Sequence, residues 1–240
     1  PLAEAASWDL SAIKKAAEVA AAEAAAEGLH WTFAPMADVA RDPRWGRMVE
    51  GAGEDPYLGS LIAAERVKGF QGKSPYDLNT IAACVKHFAA YGAAQAGRDY
   101  HSVDMSERML REVYLPPYKA AIDAGALTVM TAFNDLNGIP ATANKFLFDQ
   151  ILRKEWGFKG FVVTDYTAIM ELFFHGVAKD KHEASALAIN AGVDMSMQDG
   201  YFSQTLADLV RDKKVSEKQI DQAAVRILKV KFQLGLFEDP

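Results

Sequence analysis

Five short apolar runs, each followed by a polar loop and then a longer amphipathic or alanine-rich stretch, constrain this chain more than any other feature. The runs are "LHWTFAPM" (29–36), "TIAACVKHF" (80–88), "ALTVMTAF" (126–133), "GFVVTD" (160–165) and "VDMSM" (193–197). Their length and β-branched content read as buried strands. Helix signals fill the intervals. An alanine-rich stretch over 10–27 stops at Gly28, and a second helix is expected over 57–71. Ser106 is placed to cap a helix running to Asp123 and closed by Gly125, with Pro116 and Pro117 kinking or splitting it. Asn144 caps a helix over 144–156, and further helices are expected over 167–175, 181–191 and 203–211. Ser216 and Gln219 stand in capping-box spacing at the head of the last one.

Repeated strand–helix alternation is the signature of a parallel α/β fold. A closed (β/α)8 barrel has eight strands and typically about 250 residues. Five strands in 240 residues therefore read as a TIM-type (β/α)8 barrel that is incomplete at its start. An open doubly wound sheet is the alternative, but no glycine-rich phosphate fingerprint follows a first strand. The chain opens on Pro1 without an initiator Met, which reads as a piece of a longer protein. Residues 1–240 are expected to form a single partial barrel domain.

Charge and cysteine content narrow the partners. A net charge of −6 with no basic stripe argues against a nucleic-acid partner. No apolar run is long enough to span a bilayer, so no membrane partner is expected. The single Cys84 excludes an internal disulfide and sits in an apolar run as a small core residue. His30, His87, His101, His175 and His182 show no zinc-like spacing, so no metal site is expected.

In a parallel α/β barrel the active site is built at the C-terminal ends of the strands. The five runs end on Asp38 and the loop Arg41–Arg47, on Lys86 and His87, on Phe133 and Asn134, on Asp165 and Tyr166, and on Asp194 and Met197. Charge of both signs thus concentrates at one rim. Each residue also has a plainer reading. Asp165 suits the cap of the next helix. Adjacent Lys86 and His87 would point to opposite faces of a regular strand. Arg41, Arg44 and Arg47 suit neutralisation of Glu50, Glu54 and Asp55, and Trp45 suits either a loop anchor or a sugar platform.

Together the motifs "FAPMADVARDPRWGRMVEGAGEDPYL", "VKHFAAYGAAQAGRDYHSVDMSER", "VMTAFNDLNGIPATAN", "WGFKGFVVTDYTAIMEL" and "AINAGVDMSM" resemble glycoside hydrolase family 3, in its bacterial β-glucosidase/β-xylosidase branch. The resemblance implies a retaining glycosidase acting on terminal β-D-glucosyl or xylosyl residues, and a carbohydrate substrate. It places Asp165 on the nucleophile, and Lys86 and His87 on paired sugar contacts. Arg47, Arg98, Met130, Phe133 and Tyr166 fall on further substrate-binding positions. Phe133 stands where Tyr is frequent, and Tyr166 where Trp or His is frequent. The chemistry needs no cofactor: one ionised carboxylate attacks the anomeric carbon, and nearby cations such as Lys86 and Arg98 favour its charged form.

A retaining enzyme needs a second carboxyl group as acid and base. The resemblance implies that this Glu belongs to a second, C-terminal α/β sandwich domain, which this chain lacks, as it lacks the family's first barrel strands. One alternative is an N-acetylglucosaminidase-like dyad, for which "GRDYHSVD" offers Asp99 and His101. Another is a non-catalytic barrel piece that completes itself by self-association or with its missing domains, because open sheet edges expose unpaired backbone groups. A periplasmic or secreted location follows from the resemblance alone, since no signal peptide is visible.

Overall fold

A computed structural model describes residues 1–75 and 77–238; Asp239 and Pro240 of the terminal "GLFEDP" lie outside the described residues. Six strands occur among the described residues: β1 (Cys84–Phe88), β2 (Thr128–Thr131), β3 (Asp135–Leu136), β4 (Ile139–Pro140), β5 (Phe161–Tyr166) and β6 (Met195–Met197). β1, β2, β5 and β6 form one parallel sheet in that order, and β3 and β4 form a separate antiparallel hairpin. The parallel order follows the chain, as strand–helix–strand crossovers require. The register sets Cys84 beside Thr128, Val129 beside Val162, and Val163 beside Met195.

The expected first strand over 29–36 is present only as an interrupted neighbour of β1. It makes parallel bridges at Trp31–Ala82 and Met36–Lys86, and Cys84 N donates to Ala34 O at 2.8 Å. Pro35 has no N–H to give to a ladder, which limits the regularity of that stretch. The expected 80–88 strand is regular only from Cys84 onward.

Eight α-helices surround the sheet among the described residues: α1 (Leu2–Ala5), α2 (Leu10–Ala26), α3 (Pro56–Gln71), α4 (Glu107–Met109), α5 (Pro116–Asp123), α6 (Lys181–Ala191), α7 (Tyr201–Arg211) and α8 (Glu217–Gln233). Their starts follow local chemistry. Asp55 accepts from the Tyr57 and Leu58 amides with Pro56 at the first position of α3, and Ser216 and Gln219 close a reciprocal capping box on α8. The proline pair splits its helix as expected: a π-helical turn over Leu110–Tyr114 ends, and α5 begins at Pro116. Asn144 Oδ1 accepts from Phe146 N at 3.1 Å, ahead of a π-helix over Phe146–Glu155.

The helix expected over 167–175 shrinks to a 3-10 turn, Met170–Phe173. Thr167 N is bonded to Met197 O at 3.1 Å, and Thr167 holds a positive φ of 55°. The chain leaving β5 is therefore tied sideways to β6 before it can coil.

Two apolar layers flank the sheet, as side chains alternate along each strand. Val85, Val129 and Val162 face the helices and pack with Phe70, Tyr118, Phe148 and Leu152. Cys84, Met130, Phe161 and Val163 face the other side with Val230 of α8. The period of two carries this second line on to Lys86 and Asp165. Gly160 immediately precedes β5 where a Cβ would collide with Leu127 O, so only glycine lets β5 start so close to β2.

Candidate active site

Asp165 stands near the C-terminal end of β5, and its two oxygens have different surroundings. Oδ1 accepts from Tyr166 N at 2.7 Å. Oδ2 is buried, makes no hydrogen bond among the described residues, and lies 3.5 Å from His87 Nε2. Asp165 does not cap the turn that follows, so the capping role open to it in the sequence is unused.

His87 is buried at the end of β1, where the pairing with β2 changes register between Val85 and Phe88. That irregularity frees Lys86 and His87 from strict alternation. The His87 ring is held from both sides. Nδ1 lies 2.9 Å from Asp38 Oδ2, and Nε2 lies 3.1 Å from the Arg47 guanidinium. Asp38 Oδ2 also accepts from the His87 backbone N–H at 2.9 Å, and Tyr118 Oη lies 2.7 Å from Asp38 Oδ1. Burial alone would raise the Asp38 carboxyl, but the His87 ring, Tyr118 and the His87 amide together hold it below its ordinary value.

Arg47 reaches this cluster from the loop after the first apolar run. It makes a two-pronged contact to Glu50, at 2.7 and 3.0 Å, and lies over the Tyr91 ring at 5.6 Å. The Arg47 contact is the main cause holding the Glu50 carboxyl low, with Lys86 and His87 adding to it. Lys86 Nζ makes no hydrogen bond or ion pair among the described residues. The geometry therefore brings His87 Nε2 to a carboxylate oxygen that has no hydrogen bond among the described residues, with Arg47 against the same nitrogen and Lys86 next to His87 in β1. Such a group can hold hydroxyls and present a lone pair to an electrophile.

The other expected site residues are distributed around this group. Tyr166 is 55% exposed and free to stack on a ring. Phe133 is buried, its ring 4.6 Å from that of Tyr100. Met130 is buried with Cys84, Phe161 and Val163, deeper along the same sheet face. Arg98 is exposed and makes no side-chain hydrogen bond or ion pair among the described residues. Asp99 and His101 are not bonded to each other: Asp99 accepts from Trp45 Nε1 at 2.9 Å, and His101 Nδ1 accepts from Ser102 N at 2.7 Å. Trp45 is buried and serves as a loop anchor. Arg44 pairs with Asp42, and Arg41 lies over the Tyr114 ring.

Asp194, expected at the same rim, lies at the opposite end. It precedes β6, accepts from Val162 N at 2.8 Å, and pairs with Arg153 and Arg226 at 2.7 Å each. The strand begins at Met195, not before Asp194, so its functional end is Met197. Desolvation raises the Asp194 carboxyl despite both arginines, and burial pushes the Arg153 guanidinium down to about 10.

In the sequence Asp38 stands at a strand end with no sign of its partner, and Tyr118 and Glu171 are not among the expected site residues. Burial raises the Glu171 carboxyl; His175 opposes the shift, and Asp165 adds to it. Glu171 had a local signal, six residues past Asp165 in the same motif. Tyr118 had none.

A parallel α/β sheet with this polar group at the strand ends is the arrangement of a barrel hydrolase. The chain belongs to glycosyl hydrolase family 3: residues 1–230 match the model of that family's N-terminal domain, a TIM-like barrel. It is 51% identical over 236 residues to a periplasmic β-glucosidase of Salmonella typhimurium, covering 98% of this chain and 31% of that protein. A β-xylosidase of Formosa agariphila is 41% identical over 249 residues, covering 99% of this chain and 34% of that one. A β-glucosidase from Listeria innocua, solved in complex with glucose, superposes with a TM-score of 0.99 at 49% identity over 100% of this chain and 34% of its own. This chain thus spans about a third of the length of these relatives. They are glycoside hydrolases by name.

Proposed function

We propose that this chain supplies the nucleophile and part of the sugar-binding site of a retaining β-glycosidase acting on terminal β-D-glucosyl or xylosyl residues. The observation that carries this reading is Asp165 Oδ2, a buried carboxylate oxygen with no hydrogen bond among the described residues, beside the His87 nitrogen that Arg47 also reaches. Oδ2 bonds to the anomeric carbon as the bond to the leaving oxygen breaks, and that oxygen keeps the electron pair. Lys86 and Arg47 donate to sugar hydroxyls, and the Nε2 lone pair of His87, which Arg47 also approaches, accepts from one. Tyr166 and Arg98 lie on the outer side of the sugar. The proton for an ordinary alcohol leaving group comes from a carboxyl group outside this chain, as the family resemblance implies. Residues 1–240 act as one partial barrel domain, and a periplasmic or secreted location accords with the name of the Salmonella relative.

A dinitrophenyl 2-deoxy-2-fluoro-β-glucoside separates the steps, because its phenolate leaves without a proton. The expected result is one phenolate released per chain and a sugar adduct on the peptide carrying Asp165, absent in Asp165→Asn. An adduct on a different residue would overturn the assignment.

A further inference from the structure

Resting on that reading of Asp165, we infer that Asp38 and Tyr118 are positioning residues that hold His87 as its Nδ1–H tautomer, so that the ring gives no proton to Asp165. A guanidinium has only donors. With Arg47 at 3.1 Å from Nε2, that nitrogen must present a lone pair, so the ring proton sits on Nδ1 and is donated to Asp38 Oδ2 at 2.9 Å. A proton on Nε2 would face a donor and displace Arg47. It would then point at Asp165 Oδ2, 3.5 Å away, and occupy the oxygen that attacks.

Asp38 is built for this task. Its side chain is fully buried and touches His87 twice, at the ring and at the backbone amide. The amide can only donate, so the atom at the Oδ2 position must accept, whatever residue supplies it. Tyr118 Oη lies 2.7 Å from Asp38 Oδ1 and 2.6 Å from His87 O, with one proton to share between two acceptors. The charged carboxylate takes it.

This arrangement makes an asymmetric forecast. In Asp38→Asn the amide oxygen stays at the Oδ2 position, because the His87 amide rejects an NH2 there. The new NH2 then donates to Tyr118 Oη, which turns its own proton to His87 O. The Nδ1–H tautomer survives. In Asp38→Ala nothing accepts from Nδ1 and only Arg47 still opposes a proton on Nε2, so the Nδ1–H form loses the bond that holds it.

Long-range 1H–15N spectra of the full chain, labelled with 15N-histidine and assigned with His87→Gln, read the tautomer without any substrate. The expected wild-type signature is a protonated Nδ1 and an unprotonated Nε2 on His87. It persists in Asp38→Asn and is lost in Asp38→Ala. The rate of fluoroglucosyl labelling at Asp165 should fall at least about tenfold in Asp38→Ala, and less in Asp38→Asn. A protonated Nε2 in the wild type, or an unchanged signature in Asp38→Ala, overturns the inference. If Asp38→Ala does not fold, the wild-type and Asp38→Asn spectra still decide it, and an Nε2 proton in either overturns it. Failure of the glycosidase reading shows separately, as absence of wild-type labelling with the spectra unaffected.

Discussion

Asp38 carries a negative charge almost out of reach of water, and three donors make that tolerable. The stability consequence has a definite sign. Its folded value lies below the ordinary 3.8, so its contribution is present above about pH 3.8 and is lost as pH falls through the lower folded value. Urea midpoints should therefore drop steeply on the acid side in the wild type and less steeply in Asp38→Asn. Glu171 runs the other way. Its raised carboxyl favours the fold below its ordinary value of 4.5, and that advantage is lost as pH rises through the folded value. Glu171→Gln should then raise the thermal midpoint at neutral pH and not at about pH 4. Burial pushes the Cys84 thiol up to about 12, so a thiol reagent at about pH 8 should react only when the chain unfolds. At this scale Lys86, His87 and Asp165 were legible because each ends an apolar run. Tyr118 was not, because it meets Asp38 across 80 residues of sequence with no local pattern to announce it.

Elements were legible where local chemistry decides them. The capping box at Ser216, the split at Pro116 and the four parallel strands all rest on signals within a few residues. The failures are places where a distant partner wins. The stretch after β5 has helical composition, yet Thr167 N is claimed by Met197 O, and one 3-10 turn remains. Asp194 reads as a rim carboxylate because it shares the short run "VDMSM" with Met197, but β6 begins only at Met195 and leaves Asp194 at its entry. Gly160 gives the clearest test at this scale. A methyl group there collides with Leu127 O, which cannot yield without opening β2 from β5. Gly160→Ala should destabilise the protein by roughly 1–3 kcal/mol in chemical denaturation. Because Asp165 lies farther along the same strand, fluoroglucosyl labelling should slow as well.

The whole molecule places its chemistry and its anchoring at opposite ends of one sheet. At the C-terminal ends of the strands a carboxylate oxygen has no hydrogen bond among the described residues; at the N-terminal end Asp194 is satisfied from three directions. Removing Asp194 leaves Arg153 buried without a counter-charge, and Asp194→Ala should cost about 3–5 kcal/mol. The general architecture was legible in the alternation of strands and helices, whereas this ion cluster was not, because its members come from three separate segments. Those separations, 41 residues to Arg153 and 32 to Arg226, make one side chain the knot of two long loops. Asp194 thus does the work of a cross-link in a chain whose lone Cys84 cannot form one internally. Unlike a covalent staple, this knot holds only while the fold keeps Asp194 against both arginines, so it comes undone together with the fold.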